Sequence, residues 1–153
     1  MIFSCFVFAG DRADALKKGH EATDNNEAIK WYKKALELCK ENEVVPKAWV
    51  YNNIGFVYIK MNKWDEALEN LEKSVKEYDK IDVAWNNIGI IYENMAFLKK
   101  EKGKIKDKEK DGEKIKELLQ KAKDAYAKAV ELKPDKEKYQ INKTRVEDLL
   151  KNK

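Results

Sequence analysis

The sequence predicts an all-α fold built from stacked pairs of antiparallel helices. Charged residues make up 39% of the 153 residues and hydrophobic residues 43%, with only two prolines and six glycines. That composition is typical of long solvent-exposed helices rather than of sheets and turns. In addition, the segment that begins at Tyr51 returns at Trp85, 34 residues later. A fixed period of this length indicates repeated supersecondary units.

The repeated segment predicts the first helix of each unit. Tyr51 is followed at spacings of three, four and seven by Ile54, Gly55 and Tyr58, and the copy at Trp85 keeps this pattern. These spacings place the residues on one helix face. A glycine inside a helix costs about 1 kcal/mol relative to alanine. Because glycine nevertheless stands at the same place in both copies, as Gly55 and Gly89, we expect a neighbouring helix to approach closely there.

The second helix of each unit is expected to present small and large residues that interlock with the first. The pattern small, large, small recurs at spacings of four and three. It is carried by Ala67, Leu71 and Ser74, by Ala28, Tyr32 and Ala35, and by Ala122, Tyr126 and Ala129. We therefore expect one domain over residues 11–151, with units at about 11–44, 46–80 and 82–134.

Two units depart from the regular spacing. In the first, Gly19 lies nine residues before Ala28, which predicts a shortened helix or a turn rebuilt around residues 24–26, whose side chains can cap the next helix. In the third, an insertion over residues 97–119 predicts a protruding helical hairpin that turns near residues 110–112. Apolar residues on its two arms are expected to meet: Leu98 and Ile105 with Ile115, Leu118 and Leu119.

The two ends of the chain have different characters. Residues 135–151 carry a sparse apolar stripe on a charged helix, which predicts a capping helix. Residues 1–10 form an apolar run that is too short to span a membrane. Two interpretations of it stay open: the remnant of a signal peptide, or an extra helical turn that packs through Phe3, Phe6 and Val7. The cellular compartment stays open as well.

The chain resembles the tetratricopeptide repeat family. That family's pattern, W-x2-L-G-x2-Y, then A-x3-F, then P, is met by Trp85, Ile88, Gly89, Tyr92, Ala122, Tyr126 and Pro134. The resemblance implies a helical solenoid of about three units plus the capping helix. It also implies a protein-interaction module, an adaptor or assembly factor, that binds an extended peptide or a partner helix in its concave groove.

The first helices of the units line this groove in the family. The helix over residues 46–61 is unusual because a second face beside its core stripe is largely uncharged, and such a face is either buried or offered to a ligand. Asn53 and Asn87 stand where related repeats often place peptide-binding asparagines. The expected groove residues are Trp49, Asn52, Asn53, Phe56, Ile59, Lys60, Val83, Asn86, Asn87, Ile90 and Glu93. Alternatively, the asparagines bond only to neighbouring helices.

One subfamily is argued against. Repeats that grip the acidic tails of heat-shock chaperones use a clamp of lysine, asparagine and arginine, but here Leu16, His20 and Val83 occupy three of its places.

A second surface is the inserted hairpin, where residues 99–116 hold nine lysines and five acids. This basic arm is expected either to engage nucleic acid or an anionic surface, or to be an ordinary solvated helix. Self-association is a third possibility for a short repeat array.

Catalysis finds little support in the sequence. The glycines form no phosphate-binding loop, and the single histidine, His20, sits among Lys and Glu residues. Cys5 and Cys39 form no metal or disulfide pattern, and Cys39 is better interpreted as a small buried residue than as a nucleophile. Only two of the 32 basic residues are arginine, which disfavours sequence-specific recognition of nucleic acid. We therefore expect no enzyme activity, no cofactor and no metal.

Overall fold

The computed structural model describes the backbone of residues 2–102 and 108–151, and the side chains of residues 10–100 and 111–151. The described residues form seven α-helices and no strand: α1 (Ile2–Glu21), α2 (Asn25–Glu37), α3 (Val44–Lys60), α4 (Trp64–Glu77), α5 (Asp82–Lys102), α6 (Lys108–Leu132) and α7 (Glu137–Lys151). The predicted all-α class is confirmed. The chain divides into two compact units, residues 1–79 and residues 80–153.

In the first unit, consecutive helices pack against each other, α1 on α2, α2 on α3 and α3 on α4. The core contains Ala28, Tyr32, Ala35 and Ile54, which the repeat pattern placed on facing helices. It is completed by Ala15, Ile29, Val50 and Val57. Between α3 and α4, the hydroxyl of the buried Ser74 donates a 2.7 Å hydrogen bond to the carbonyl of Ala48. This bond gives the buried hydroxyl a partner.

The helical glycines of the repeat mark close helix approaches, as predicted. A Cβ built on Gly55 would lie 2.7 Å from Cγ of Leu71 and 3.2 Å from the carbonyl oxygen of Ala67. On Gly19 it would lie 2.6 Å from a ring carbon of Tyr32. Because carbon atoms in contact normally stand about 3.5–4.0 Å apart, any larger residue would push the paired helices apart.

The turn between α1 and α2 explains the short spacing in the first unit. The first helix ends two residues after Gly19, whereas α3 continues five residues past Gly55. Asp24 then caps α2, because its side chain accepts a 2.9 Å hydrogen bond from the backbone N–H of Glu27. The helix is thus shortened at its C-terminal end, and the predicted N-cap is present.

The turn between α3 and α4 depends on Asn62, whose φ of 56° lies in the left-handed region. The backbone N–H of Asn62 donates to the carbonyl of Ile59, and the N–H of Lys63 donates to that of Tyr58. This pair of bonds is the Schellman arrangement, in which a left-handed residue closes a helix and satisfies its last carbonyls. Asparagine tolerates that conformation better than most residues.

In the second unit, α5 and α6 are both prolonged by the insertion, as predicted. Ile115 and Leu119 are buried against Ala96, whereas Leu98 stays exposed and Ile105 lies outside the described residues. The prediction of a turn at residues 110–112 was wrong, because these residues belong to α6. Residues 103–107, between α5 and α6, lie outside the described backbone. The helix-forming Lys and Glu residues around Gly112, together with the burial of Ile115, outweigh the cost of one helical glycine.

The predicted capping helix is α7, which packs against α6. Tyr139 and Val146 are buried, and Leu149 and Leu150 pack half-buried against the same apolar cluster. At the other end of the chain, the backbone of residues 2–10 belongs to α1, which fits either interpretation of this segment. The side chains of Phe3, Phe6 and Val7 lie outside those described. Across the described residues, we find no helix with the length and apolar character needed to cross a membrane.

Candidate functional site

One face of α3 leaves two aromatic side chains exposed to solvent. Trp49 is 44% exposed and Phe56 is 45% exposed, although other positions of the same helix are part of the core. Asn53 and Lys60 share their face, because spacings of four, three and four residues lie along one side of a helix. We call Trp49, Asn53, Phe56 and Lys60 the α3 stripe. Exposed aromatics on a well-packed helix are typical of an interaction surface.

Lysine and aromatic side chains of the stripe contact each other. The ammonium nitrogen of Lys60 lies 5.0 Å from the centroid of the Phe56 ring, within the range of a cation–π interaction. Lys60 forms no ion pair with the described part of the chain. The stripe therefore ends in a positive charge without a counter-ion among the described residues.

A cleft of about 280 Å³ opens beside the stripe. Asn53, Phe56 and Lys60 line it from α3, and His20 and Tyr32 line it from α1 and α2. This volume lies at the lower end of the range of about 300–1,000 Å³ that drug-sized ligands occupy, and it has room for one side chain. All of these residues belong to the first unit.

His20 is held in this cleft by Tyr32. The tyrosine hydroxyl lies 2.9 Å from Nδ1 of His20, and the two rings meet edge to face with centroids 5.5 Å apart. Burial raises the pKa of the Tyr32 hydroxyl, so the hydroxyl keeps its proton and can donate to Nδ1. In that arrangement the remaining ring nitrogen, Nε2, carries the imidazole proton and is a donor.

Two other residues of α3 predicted for the groove are less accessible. Asn52 is only 5% exposed, and its amide nitrogen lies 3.5 Å from Oδ1 of Asn53. Ile59 is half-buried. Of the two neighbouring asparagines, Asn53 is therefore the one that lines the cleft.

In the second unit, two residues predicted for the groove are bonded to α7 instead. Asn86 is 2% exposed and accepts a 2.9 Å hydrogen bond from the amide of Asn142. Glu93 is 5% exposed and accepts two 2.7 Å bonds from the guanidinium of Arg145. For Asn86, the alternative in which the asparagines bond to neighbouring helices thus replaces the interpretation as a ligand contact. For Glu93, the expected place in the groove is corrected, because its buried carboxylate is bonded to Arg145 on α7.

Glu93 also joins α5 to α6, since it accepts a 2.8 Å bond from the hydroxyl of Tyr126. Burial, and then the charge of this carboxylate, raise the pKa of the Tyr126 hydroxyl far above its ordinary value. At the start of α5, Asp82 accepts a 2.8 Å bond from Tyr139. These bonds connect α6 and α7 to α5 through side chains that the sequence pattern could not pair.

The remaining predicted residues of α5 are partly or fully enclosed. Val83 is half-buried, Asn87 is 6% exposed, and Ile90 packs half-buried against the apolar cluster under α7. The described structure thus concentrates the exposed groove candidates on α3. His20 was not among the predicted site residues, although the sequence placed it at a position of the chaperone-tail clamp. Its pairing with Tyr32, twelve positions away, brings it into the cleft.

Acidic partners neutralise some of the lysines of the inserted hairpin. Lys99 on α5 lies 2.8 Å from Asp111 on α6, and Glu117 lies 2.8 Å from both Lys114 and Lys121. These two lysines lower the pKa of Glu117 to about 2. The side chains of residues 101–110 lie outside those described. In the described part, the arm has the pairing expected of a solvated helix surface.

Cys39 has the environment of a structural residue. It is half-buried, its Sγ lies 3.4 Å from the carbonyl oxygen of Ala35, and burial raises the pKa of its thiol. A raised thiol pKa lowers the fraction of the nucleophilic thiolate. Within residues 10–100 and 111–151, no group of three or more His, Cys, Asp or Glu side chains is placed to hold a metal ion.

The helix pairs, the glycine contacts and the capping helix define a helical-repeat protein. The family model of the tetratricopeptide repeat matches residues 20–80, and solved domains of this kind have the same fold. The Arabidopsis OM64 TPR domain superposes with a TM-score of 0.70 at 16% identity over 92% of this chain and 98% of that domain. The first TPR of Spaghetti (RPAP3), bound to the HSP90 peptide SRMEEVD, has a TM-score of 0.69 at 16% identity over 92% and 96%. The resemblance to tetratricopeptide repeats is therefore confirmed.

Among curated proteins, the chain is similar to the photosystem I assembly protein Ycf3 of Prochlorococcus marinus strain MIT 9215. The two are 29% identical over 111 residues, which cover 72% of this chain and 59% of that relative. The chain thus matches about three fifths of the length of this relative.

Proposed function

We propose that this chain is a protein-interaction module, an adaptor or assembly factor without catalytic activity, that holds an extended peptide or a partner helix on the α3 stripe. The observation that carries the proposal is the exposure of Trp49 and Phe56 on a helix that also supplies Val50, Ile54 and Val57 to the core. Aromatic anchors of this kind dominate the energetics of protein interfaces. A rigid helix presents them at little entropic cost.

Two comparisons support the proposal. The curated relative acts in the assembly of photosystem I by its name, and a domain of the same fold was solved with a bound peptide. A chaperone tail is not the partner proposed for this chain. Leu16 stands at a place where a chaperone-tail clamp carries a polar residue, and it packs against the core of the first unit.

Selection from a random peptide display library tests the proposal. Wild-type chain is expected to enrich a family of peptides, and Trp49→Ala combined with Phe56→Ala is expected to abolish their binding. The matched control is Ile141→Ala, which removes an exposed apolar side chain from α7, 55% exposed, without touching the stripe. Circular dichroism shows whether each variant folds. If no peptide is enriched, or if the double variant binds the peptides as well as wild type does, the proposal is wrong.

A further inference from the structure

We propose that the N-terminal part of α1, residues 2–9, inserts into one leaflet of a lipid bilayer and holds the first unit at a membrane surface. This inference goes beyond the proposed function, because it assigns a ligand to a segment outside the α3 stripe. We call residues 2–9 the apolar extension. The observation that carries the inference is that a change of composition along α1 coincides with the end of α2.

The composition of α1 changes abruptly at residue 11. Seven of the eight residues of the apolar extension are apolar, and Ser4 is the exception. Residues 11–21 instead contain six charged residues, and Ala15 among them is buried in the core. The second part of α1 is thus an amphipathic helix packed on its neighbour, whereas the first part carries no charge.

The contacts of α1 show where its partner helix ends. Gly19 lies against the ring of Tyr32. Because paired helices run antiparallel, Arg12, seven residues earlier on α1, is level with the residues that follow α2. The 2.6 Å hydrogen bond from Arg12 to Glu43, the residue before α3, agrees with this register. The backbone of the apolar extension therefore lies beyond the end of α2 and the start of α3.

The distribution of apolar positions decides what can cover the apolar extension. Successive residues of a helix are about 100° apart, so a run in which only Ser4 is polar presents apolar positions on every side. A protein partner, including a second copy of this chain, covers one stripe of a helix. Lipid surrounds an inserted helix completely, and it is therefore the ligand that matches all of these positions.

The length of the apolar extension fits one leaflet. Eight helical residues measure about 12 Å at about 1.5 Å per residue, and a hydrocarbon core of about 30 Å has leaflets of about 15 Å. The extension thus inserts without spanning. Val44 and Val45, which are 41% and 39% exposed, directly follow Glu43 and stand level with Arg12, where they contact the bilayer surface. An insertion of this size binds reversibly, as a single acyl chain does.

Flotation with vesicles of neutral phosphatidylcholine tests the inference. Neutral lipid offers the lysines of the chain no anionic surface. Wild-type chain, with residues 2–9 confirmed by intact mass, is expected to float with the vesicles. Phe6→Asp combined with Phe8→Asp is expected to lower the bound fraction about tenfold, because charge is costly in hydrocarbon. The matched control, Ile141→Asp, alters an exposed apolar residue of α7 and is expected to float as wild type does.

A fluorescent label on Cys5 gives a second measurement that needs no change in the apolar extension. In a Cys39→Ser chain, an environment-sensitive dye on Cys5 is expected to emit at shorter wavelength when vesicles are added, and to be quenched by brominated lipid. The control places the dye by Ala13→Cys in a chain that also carries Cys5→Ser and Cys39→Ser. Ala13 is exposed on the part of α1 that pairs with α2, so this dye is expected to show neither change.

Three results would overturn the inference. The first is wild-type chain that does not float, and the second is a dye on Cys5 that does not respond to vesicles. The third is a doubled mass without lipid that the double aspartate variant returns to the monomer, because a second copy would then cover the apolar extension. Peptide binding by the α3 stripe is measured without lipid, so none of these results decides the proposed function.

Discussion

Gly89 lies against the ring of Tyr126 so closely that a Cβ at position 89 would stand 2.6 Å from Cδ1 of that ring. The ring is fully buried and its hydroxyl is bonded to Glu93, so it has little room to move. We expect Gly89→Ala to lower the free energy of unfolding by about 1–3 kcal/mol, because overpacking outweighs the gain in helix propensity. Urea unfolding followed by circular dichroism measures the change.

Gly112→Ala is the matched control for this prediction. Gly112 also lies within a helix, but a Cβ there would meet nothing within 4 Å. Alanine at that position is expected to raise the free energy of unfolding by about 0.5–1 kcal/mol. A similar gain at both glycines would contradict the prediction. It would mean that α5 and α6 leave room for a methyl group at position 89.

The contact between Glu93 and Arg145 predicts a second effect on stability. Arg145→Met leaves the buried carboxylate of Glu93 with only the Tyr126 hydroxyl as a described partner. We expect a loss of about 1–3 kcal/mol, less than for a fully buried pair, because the Arg145 side chain is 47% exposed. Adding Glu93→Gln should restore part of the loss, since the neutral amide oxygen still accepts from Tyr126.

The control for the Arg145 prediction is an exposed ion pair on α6. Lys128 bonds to Glu131 at 2.9 Å, with both side chains accessible to solvent. Lys128→Met is expected to change the free energy of unfolding by less than about 0.5 kcal/mol. Equal losses for Arg145→Met and Lys128→Met would mean that α7 is not fastened through Glu93.

Two buried tyrosines predict how stability depends on pH. Burial, followed by interaction with Glu93 and Asp82 respectively, raises the pKa values of Tyr126 and Tyr139 in the folded protein. The unfolded chain loses its tyrosine protons near pH 10, while the folded protein retains these two. The free energy of unfolding is therefore expected to fall as pH rises above about 10, and to be insensitive to these groups below it.

Comparison of variants isolates the tyrosine contribution from that of the many lysines. Urea unfolding at a series of alkaline pH values should show a shallower decline for Tyr126→Phe and Tyr139→Phe than for wild type, whatever their stability at neutral pH. The control is Tyr51→Phe, a half-buried tyrosine of α3. An unchanged slope in both variants would contradict the raised pKa values.

The left-handed backbone at Asn62 predicts a stabilising substitution. Asn62→Gly is expected to raise the free energy of unfolding by a few tenths to about 1 kcal/mol, because glycine adopts a positive φ without steric cost. Asn62→Ala is expected to lower it by about 1 kcal/mol for the opposite reason. Thermal melts of the two variants beside wild type provide the measurement, and a destabilising glycine would show that the turn does not need this conformation.

Much of the fold follows from short-range patterns in the sequence. The spacing of Gly55, Gly89 and the small residues opposite them predicted both the helix pairs and their close approach, because residues three and four apart on a helix share one face. The turn predicted at residues 110–112 was wrong because the prediction used only local sequence. An Asp-Gly pair favours a turn locally, but the burial of Ile115 and Leu119 on neighbouring turns continues the helix through it.

The candidate site was predicted less completely. The exposed aromatics Trp49 and Phe56 followed from the uncharged second face of α3, whereas His20 depended on its contact with Tyr32. For Asn86, sequence reasoning left open whether it meets a ligand or another helix, and for Glu93 it predicted a place in the groove. Their partners Asn142 and Arg145 stand more than fifty positions further along the chain.

The sequence by itself determined the class of protein, the helices of each repeat and the places where paired helices touch, since these depend on helical periodicity and residue size. Tertiary structure alone decided which polar side chains stay accessible and which form hydrogen bonds inside the fold. The physical reason is that a buried polar group must find a partner. For α5, α7 supplies that partner. The periodicity of α5 does not predict which helix packs against it.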